Sequence, residues 1–318
     1  GRVEQQPGGA VQVRLRMADY AVGASRLAIP ELVLLGRPDG ALGFAGEVHA
    51  SGALPGGAAE ALVLPIAGNW SSSRGLVMWN QCADLRFERL QLANLSLARQ
   101  RLRLCPPRGT AMVRYDGSGL RIAAGAPSLQ LTGRLGETPI GIRSGPIGFA
   151  YPGALSARQL LVTLGPADTA TTFAVNDLTA QIGEHIAGRF DGTDVRLFAV
   201  PLDLVGASGN WRYSGGRLTL SDGSFTLQDR QEPDRFHPME AEGATLSLED
   251  NLIRARALLR EPRTDRAVVR VDLAHSLAHV AGVHLVRAAV TERRGALGRL
   301  AKRPVKRRGV LRGVAEDG

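Results

Sequence analysis

Apolar and polar residues alternate with a period of two along most of this chain, and few other patterns compete with that one. Val11, Val13, Leu15 and Met17 alternate with Gln12, Arg14 and Arg16. Leu42, Phe44 and Val48 stand around Gly43 and Glu47, Leu102 and Leu104 flank Arg103, and Leu129 and Leu131 flank Gln130. Further on come Leu218 with Leu220, Phe225 with Leu227, Leu246 with Leu248, and Val269, Val271 and Leu273. Successive side chains of a strand point to opposite faces, so each run builds one apolar and one polar face. Asp39-Gly40, Asp116-Gly117, Asp191-Gly192 and Asp222-Gly223 punctuate the runs and read as sites where the chain takes a positive φ and reverses. The 39 glycines suit many short turns and oppose long helices. The expected fold is all-β, elongated and mostly antiparallel, with few short helices; the helix candidates are residues 154–164, of mixed periodicity, and the short stretch 58–64.

One segment carries a finer pattern. Leu85/Phe87, Leu90/Leu92 and Leu95/Leu97 form pairs that recur every five residues. An odd period flips the face at each step of a straight strand, so the chain must bulge or turn between pairs if all are to share one interior. The alternative is a pair of strands buried on both faces. Cys82 and Cys105 bracket this segment. In an oxidising compartment they read as a structural disulfide, worth about 3 kcal/mol in the chain-entropy picture. Two buried free thiols are the alternative.

Charge excludes less than its total suggests. The formal net charge is +9, but ten Lys and Arg against three acidic residues fall within 287–318, leaving only +2 on the rest. A body so close to neutral lacks the footprint of a nucleic-acid binder. The run Lys302-Arg303-Pro304-Val305-Lys306-Arg307-Arg308 reads as part of a basic, solvated tail over residues 279–318. Apolar residues make up 44% of the chain, which places it among globular sequences with a core. No stretch approaches the ~18 uninterrupted apolar residues of a membrane-spanning helix. The first residue is Gly1 and no signal peptide follows it, so any anchor is expected outside these residues.

Motifs that carry chemistry are missing. With only Lys302 and Lys306 available, no phosphate-binding loop fits, and neither a dinucleotide fingerprint nor a nucleophile elbow occurs. His275 and His279 are spaced four apart, but the run before them alternates as a strand and no Glu follows His275. No carboxylate pair stands out for acid–base work. The reading is non-enzymatic, with no cofactor and no metal.

The same residues resemble a known family. Cys82, Leu85-Arg86-Phe87, the Leu90/Leu92 and Leu95/Leu97 pairs and Leu104-Cys105-Pro106 look like the repeat segment of YdbH-domain proteins. Gly209-Asn210-Trp211-Arg212-Tyr213-Ser214-Gly215-Gly216-Arg217-Leu218-Thr219-Leu220 resembles that family's W-x-Y-x-G-G-x-L-x-L signature. Phe236-His237-Pro238, the Ala244–Leu248 strand and Val271-Asp272-Leu273-Ala274-His275 follow in the family's order. The resemblance spans most of residues 60–277, with residues 1–278 expected as one β-groove region. It implies kinship with AsmA-like and TamB-like bridge proteins and a sheet curled into a long groove. It also implies phospholipid passage between the inner and outer membranes of a Gram-negative envelope. A membrane-anchored parent protein in the periplasm and a small outer-membrane lipoprotein would be the partners. After His275 the sequence departs from the family pattern into the basic tail, as a truncated or frame-shifted end would.

Residue-level reasoning points the same way. Each alternating strand offers one apolar face, and the sequence supplies few helices to cover it, so the face is a binding surface. Acyl chains gain about 0.8 kcal/mol per buried CH₂ without specific polar contacts. The lining residues expected are Leu85, Phe87, Leu90, Leu92, Leu95, Leu97, Leu218, Leu220, Leu246 and Leu248. Two other classes compete: a β-solenoid or sandwich scaffold with packed faces, and a carbohydrate-active enzyme on a β-helix.

Overall fold

The computed structural model describes residues 1–276 apart from 55, 184 and 251; the expected basic tail and His279 lie outside the described residues. Twenty-one strands and no helix occur among the described residues. In chain order they begin with β1 (Arg2–Gln5), β2 (Val11–Val22), β3 (Ser25–Gly36), β4 (Leu42–Leu54), β5 (Gly57–Ser71), β6 (Gly75–Met78) and β7 (Ala83–Leu92). The middle comprises β8 (Leu95–Leu104), β9 (Val113–Asp116), β10 (Gly119–Ala126), β11 (Leu129–Leu135), β12 (Thr138–Ser144), β13 (Ile147–Tyr151) and β14 (Gly153–Leu164). The last are β15 (Thr171–Ile182), β16 (Ile186–Arg196), β17 (Leu202–Ser214), β18 (Arg217–Asp229), β19 (Met239–Glu249), β20 (Leu252–Glu261) and β21 (Arg266–Ser276).

All of them join one sheet, and every ladder between them is antiparallel. From β1 to β5 and from β14 to β21 each strand pairs with its sequence neighbour, a plain up-and-down meander. Between β5 and β14 the same meander continues in broken form. The edge of β5 facing away from β4 pairs with β7 through Gly57–Val63 and with β6 through Gly68–Ser71. Two routes then cross the sheet, β6–β9–β10–β13 and β7–β8–β11–β12, and both end on β14. Each middle rung is therefore two collinear short strands in place of one long one. The antiparallel pairing rules out the parallel coil of a solenoid or β-helix.

The breaks share a cause with irregularities elsewhere. Pro30 sits in the register shift between Ala28 and Glu31 of β3, Pro127 between β10 and β11, and Pro146 between β12 and β13. Pro65 falls in the part of β5 that pairs with neither β6 nor β7. Proline cannot donate to a ladder, so inside a sheet it is tolerated at such interruptions. In β5 itself and in other rungs a residue with positive φ does the same work: Ala61 (49°), Gln159 (51°), Gly192 (57°), Gly206 (63°), Asp222 (53°) and Gly243 (68°). A bulge bends its strand, and one per rung draws a crease along the sheet.

This corrects two expectations. Asp39-Gly40 and Asp116-Gly117 do reverse the chain, but Asp191-Gly192 and Asp222-Gly223 lie inside β16 and β18, where positive φ makes a crease without a reversal. The two helix candidates are strands, since residues 154–164 belong to β14 and 58–64 to β5.

Cys82 and Cys105 form a disulfide across the start of β7 and the end of β8. Cys105 also bridges Gly125 of β10 through reciprocal backbone hydrogen bonds of 2.8 and 2.9 Å. The crosslink thus sits where the two routes across the sheet come together.

Candidate functional site: an apolar trough

Residues directly paired across an antiparallel ladder share a face, so one face can be followed rung by rung. Val13 pairs with Leu34, Leu34 with Phe44, and Phe44 with Gly68. Ala59 and Leu62 of β5 pair with Gly52 and Ala50 of β4, so both lie on this face although three positions apart. Ala59 then pairs with Leu90, Leu90 with Leu97, and Leu97 with Gly133. On the other route Trp70 pairs with Leu76, Leu76 with Tyr115, Ile122 with Tyr151, and Phe149 with Leu155. Past β14 the face carries Phe173, Val195, Leu178, Phe190, Trp211 and Leu220. It ends through Leu246, Ala255 and Leu273.

The five-residue repeat finds its explanation here. Arg86 pairs with Val63 and Arg89 with Glu60, both on the opposite face, so Glu88 between them stands at the crease. Leu85 and Phe87 therefore share the apolar face with Leu90 and Leu92. The turn at Ala93, with φ of 50°, returns Leu95 and Leu97 opposite Leu92 and Leu90. Leu218, Leu220, Leu246 and Leu248 meet on the same face through Leu218–Leu248 and Leu220–Leu246. Sequence reasoning did not single out Phe44, Trp70, Phe149, Trp211 or Tyr213 as lining residues. Each belongs to an alternating run, and that signal was available.

The sheet folds toward this face. The buried residues Ala59, Phe87, Leu97, Ala157, Thr193, Ala207, Ala241 and Ala244 are on it, close beside the crease. Side chains crowd on the concave side of a bend, and alanine fits where rungs close most sharply. Further out the lining grows larger and more open, as at Leu15 (39% exposed), Trp70 (46%) and Phe149 (40%). The result is a trough with a narrow floor of small residues and walls of Leu, Val, Ile and aromatics. One denser stretch packs Met239, Ala241 and Leu259 with Phe225, Leu227, Val269 and Val271.

Total surface area is that of an open layer and not of a compact body. The chain exposes 22944 Å². A compact monomer of 33.7 kDa would expose on the order of 13,000 Å². Residues 277–318 could contribute roughly 6,500 Å² at most by the extended-chain rule, which leaves a large excess. Among the described residues only a few large side chains are buried, Phe87 and Leu259 most deeply.

The opposite face is polar. Arg86 and His49 approach Glu47 at 3.7 and 2.6 Å, Arg89 meets Glu60 at 2.9 Å, Arg158 meets Asp177 at 3.3 Å, and Arg256 meets Asp272 at 3.6 Å. Such exposed pairs contribute at most about 1 kcal/mol each and serve mainly to keep this face wet. At one end, Asp229 accepts hydrogen bonds from Arg235 Nε at 2.6 Å, Arg235 Nη2 at 2.9 Å and the backbone N–H groups of Gln231 and Arg235. The Arg235 guanidinium holds the Asp229 carboxyl well below the ordinary carboxylate range. Among the described residues no cluster of His, Cys, Asp and Glu could hold a metal ion.

A family model described as "Intermembrane phospholipid transport protein YdbH" matches residues 1–294. The chain belongs to the YdbH-like family. The match is wider than the motif-bearing stretch 60–277 and takes in the N-terminal strands, whose lining is continuous with the rest. No curated protein matches, and no solved structure does. The family is one of intermembrane phospholipid transport, with which a large antiparallel β-sheet is consistent, and this suggests a protein of the space between two membranes. Among the described residues no helix is long and apolar enough to cross a membrane.

Proposed function

We propose that this chain is a non-enzymatic lipid-transfer module whose trough carries the acyl chains of phospholipids between the inner and outer membranes of a Gram-negative envelope. The observation that carries this reading is a single apolar face, continuous from Val13 to Leu273, exposed along its walls and backed by a polar outer face. A phospholipid tail lying on it loses water contact at about 0.8 kcal/mol per CH₂, while the headgroup projects from the open side. Because the retaining force is non-directional, tails can slide from rung to rung, which suits a conduit better than a fixed site would.

On this reading Leu85, Leu90, Leu92, Leu95, Leu218, Leu220, Leu246 and Leu248 are lipid contacts; Phe87 and Leu97, expected from the sequence to line the groove, are buried by their neighbours and form the packed floor beneath the lipid, and the Cys82–Cys105 disulfide is structural. The module works in the periplasm, joined to an inner-membrane anchor, with a small outer-membrane lipoprotein as the receiving partner. The test is binding of a fluorescent phospholipid to purified chain. Leu220→Asn and Leu246→Asn should weaken it severalfold and Thr219→Asn, on the outer face, should not. Equal binding by all three variants would remove the trough from the pathway.

A further inference from the structure

The outer face carries a second candidate site, built where the middle rungs break. The segment between β8 and β9 borders a wide-open cavity of about 1,060 Å³ on that face, lined by the exposed Arg74, Arg103, Arg108 and Arg114 and by Asp116, with Cys82 in its wall. None of the four arginines forms an ion pair with a described carboxylate within 4 Å. Asp116 is turned to Ser118, whose backbone N–H and hydroxyl both donate to Oδ1. Those two hydrogen bonds hold its carboxyl below the usual range. The cavity therefore concentrates a surplus of three positive charges in a concave setting, which focuses the field on any anion entering it.

Guanidinium groups match oxyanions through paired N–H donors. At neutral pH a phosphate carries about −1 as the diester of a lipid headgroup and about −1.5 to −2 as a monoester, and in either form it offers two or more anionic oxygens to the guanidinium forks. Asn80, Gln81 and Thr110, also in the wall, can serve hydroxyl groups beside the phosphate. The volume far exceeds that of inorganic phosphate alone. Close by, β8 and β11 pair only over Leu95–Leu97, and where they part a second opening of about 430 Å³ is lined by Leu102, Leu104 and Leu129 of the trough face and by Arg101 and Arg103 of the outer face.

We propose that this arginine-lined cavity binds a phosphate ester borne on a hydroxyl-rich group, supplied as a lipid headgroup or as a soluble polyol phosphate. The proposal is independent of acyl-chain binding in the trough. Calorimetric titration of the full chain with glycerol 1-phosphate, and sedimentation with phosphatidylglycerol or phosphatidylcholine vesicles, test it. Saturable binding of glycerol 1-phosphate supports the soluble source, and preferential binding of phosphatidylglycerol vesicles the lipid source. In either arm the double variant R103Q/R114Q should weaken binding at least tenfold, while R189Q/R212Q, which removes the same charge from exposed sites elsewhere on the outer face, should leave it within twofold. Equal weakening by both double variants, or no saturable binding of any probe by the unaltered chain, would overturn the proposal. Circular dichroism of each variant reports that the β fold is intact, and fluorescent phospholipid uptake reports the trough separately.

Discussion

Phe87 and Leu90 stand three positions apart in β7, yet both look into the trough, because the ladder skips Glu88 between them. Ala59 and Leu62 in β5, and Ala157 and Leu160 in β14, repeat that relationship around Ala61 and Gln159. A phase slip of one residue per rung lets each strand bend without turning its apolar side outward. Were the slip removed, half of every rung would present charged residues to the trough.

The crease residues should consequently resist β-branched substitution. Gly243→Val and Asp222→Val each force a branched side chain into left-handed backbone, at a cost of roughly 1–2 kcal/mol. Urea denaturation should show those losses. Thr245→Val, in extended backbone of the same β19, should stay within about 0.5 kcal/mol of the unaltered chain.

Cys82→Ser should lower stability by about 3 kcal/mol through the 23-residue separation it leaves open. Reductant should produce a similar loss in the unaltered chain and none in the variant. Thiol labelling of folded, unreduced protein should modify neither cysteine.

Burial separates the aromatics. Phe87 is 2% exposed and Trp70 is 46% exposed. Phe87→Ala should cost about 3–5 kcal/mol, as for other large-to-small changes in packed sites. Trp70→Ala should cost less than half of that. Chemical denaturation of the two variants checks the order.

Acid should loosen the turn between β18 and β19. The Asp229 carboxyl is depressed in the folded chain relative to its ordinary 3.8. The unfolded chain therefore takes up its proton first as pH falls, and stability supplied by this group is complete above about pH 5 and declines below about 4. Asp229→Asn should be less stable than the unaltered chain at pH 7, and the gap should narrow between pH 4 and 2. Denaturation midpoints across that range measure it.

The alternation of Val11–Met17 or Val269–Leu273 is legible in the sequence because a period of two is a local property. The crease is not, and the helix candidates show why. Leu155 and Ala157 followed by Leu160, Val162 and Leu164 combine two strand phases through a three-residue step. That step imitates the i, i+3 spacing of a helix. Asp191-Gly192 and Asp222-Gly223 failed as hairpin signals for a related reason. A reversal and a bulge both need positive φ, and only long-range pairing, such as Phe190 with Gly209, decides between them. The arginine cavity was equally hidden, since Arg74, Arg103, Arg108 and Arg114 converge only after β9 pairs with β6 and the end of β8 meets them across the break between the two routes.

Photocrosslinking from adjacent positions of one hairpin tests the lipid-carrying trough most directly. A photoreactive phenylalanine analogue at Leu218, Leu220 or Leu246 points to the apolar face, and at Thr219 or Ser247 to the polar one. In cells, the first three should capture phospholipid, detectable by mass spectrometry, and the last two should not. Capture at all five positions alike, or at none, would contradict the account.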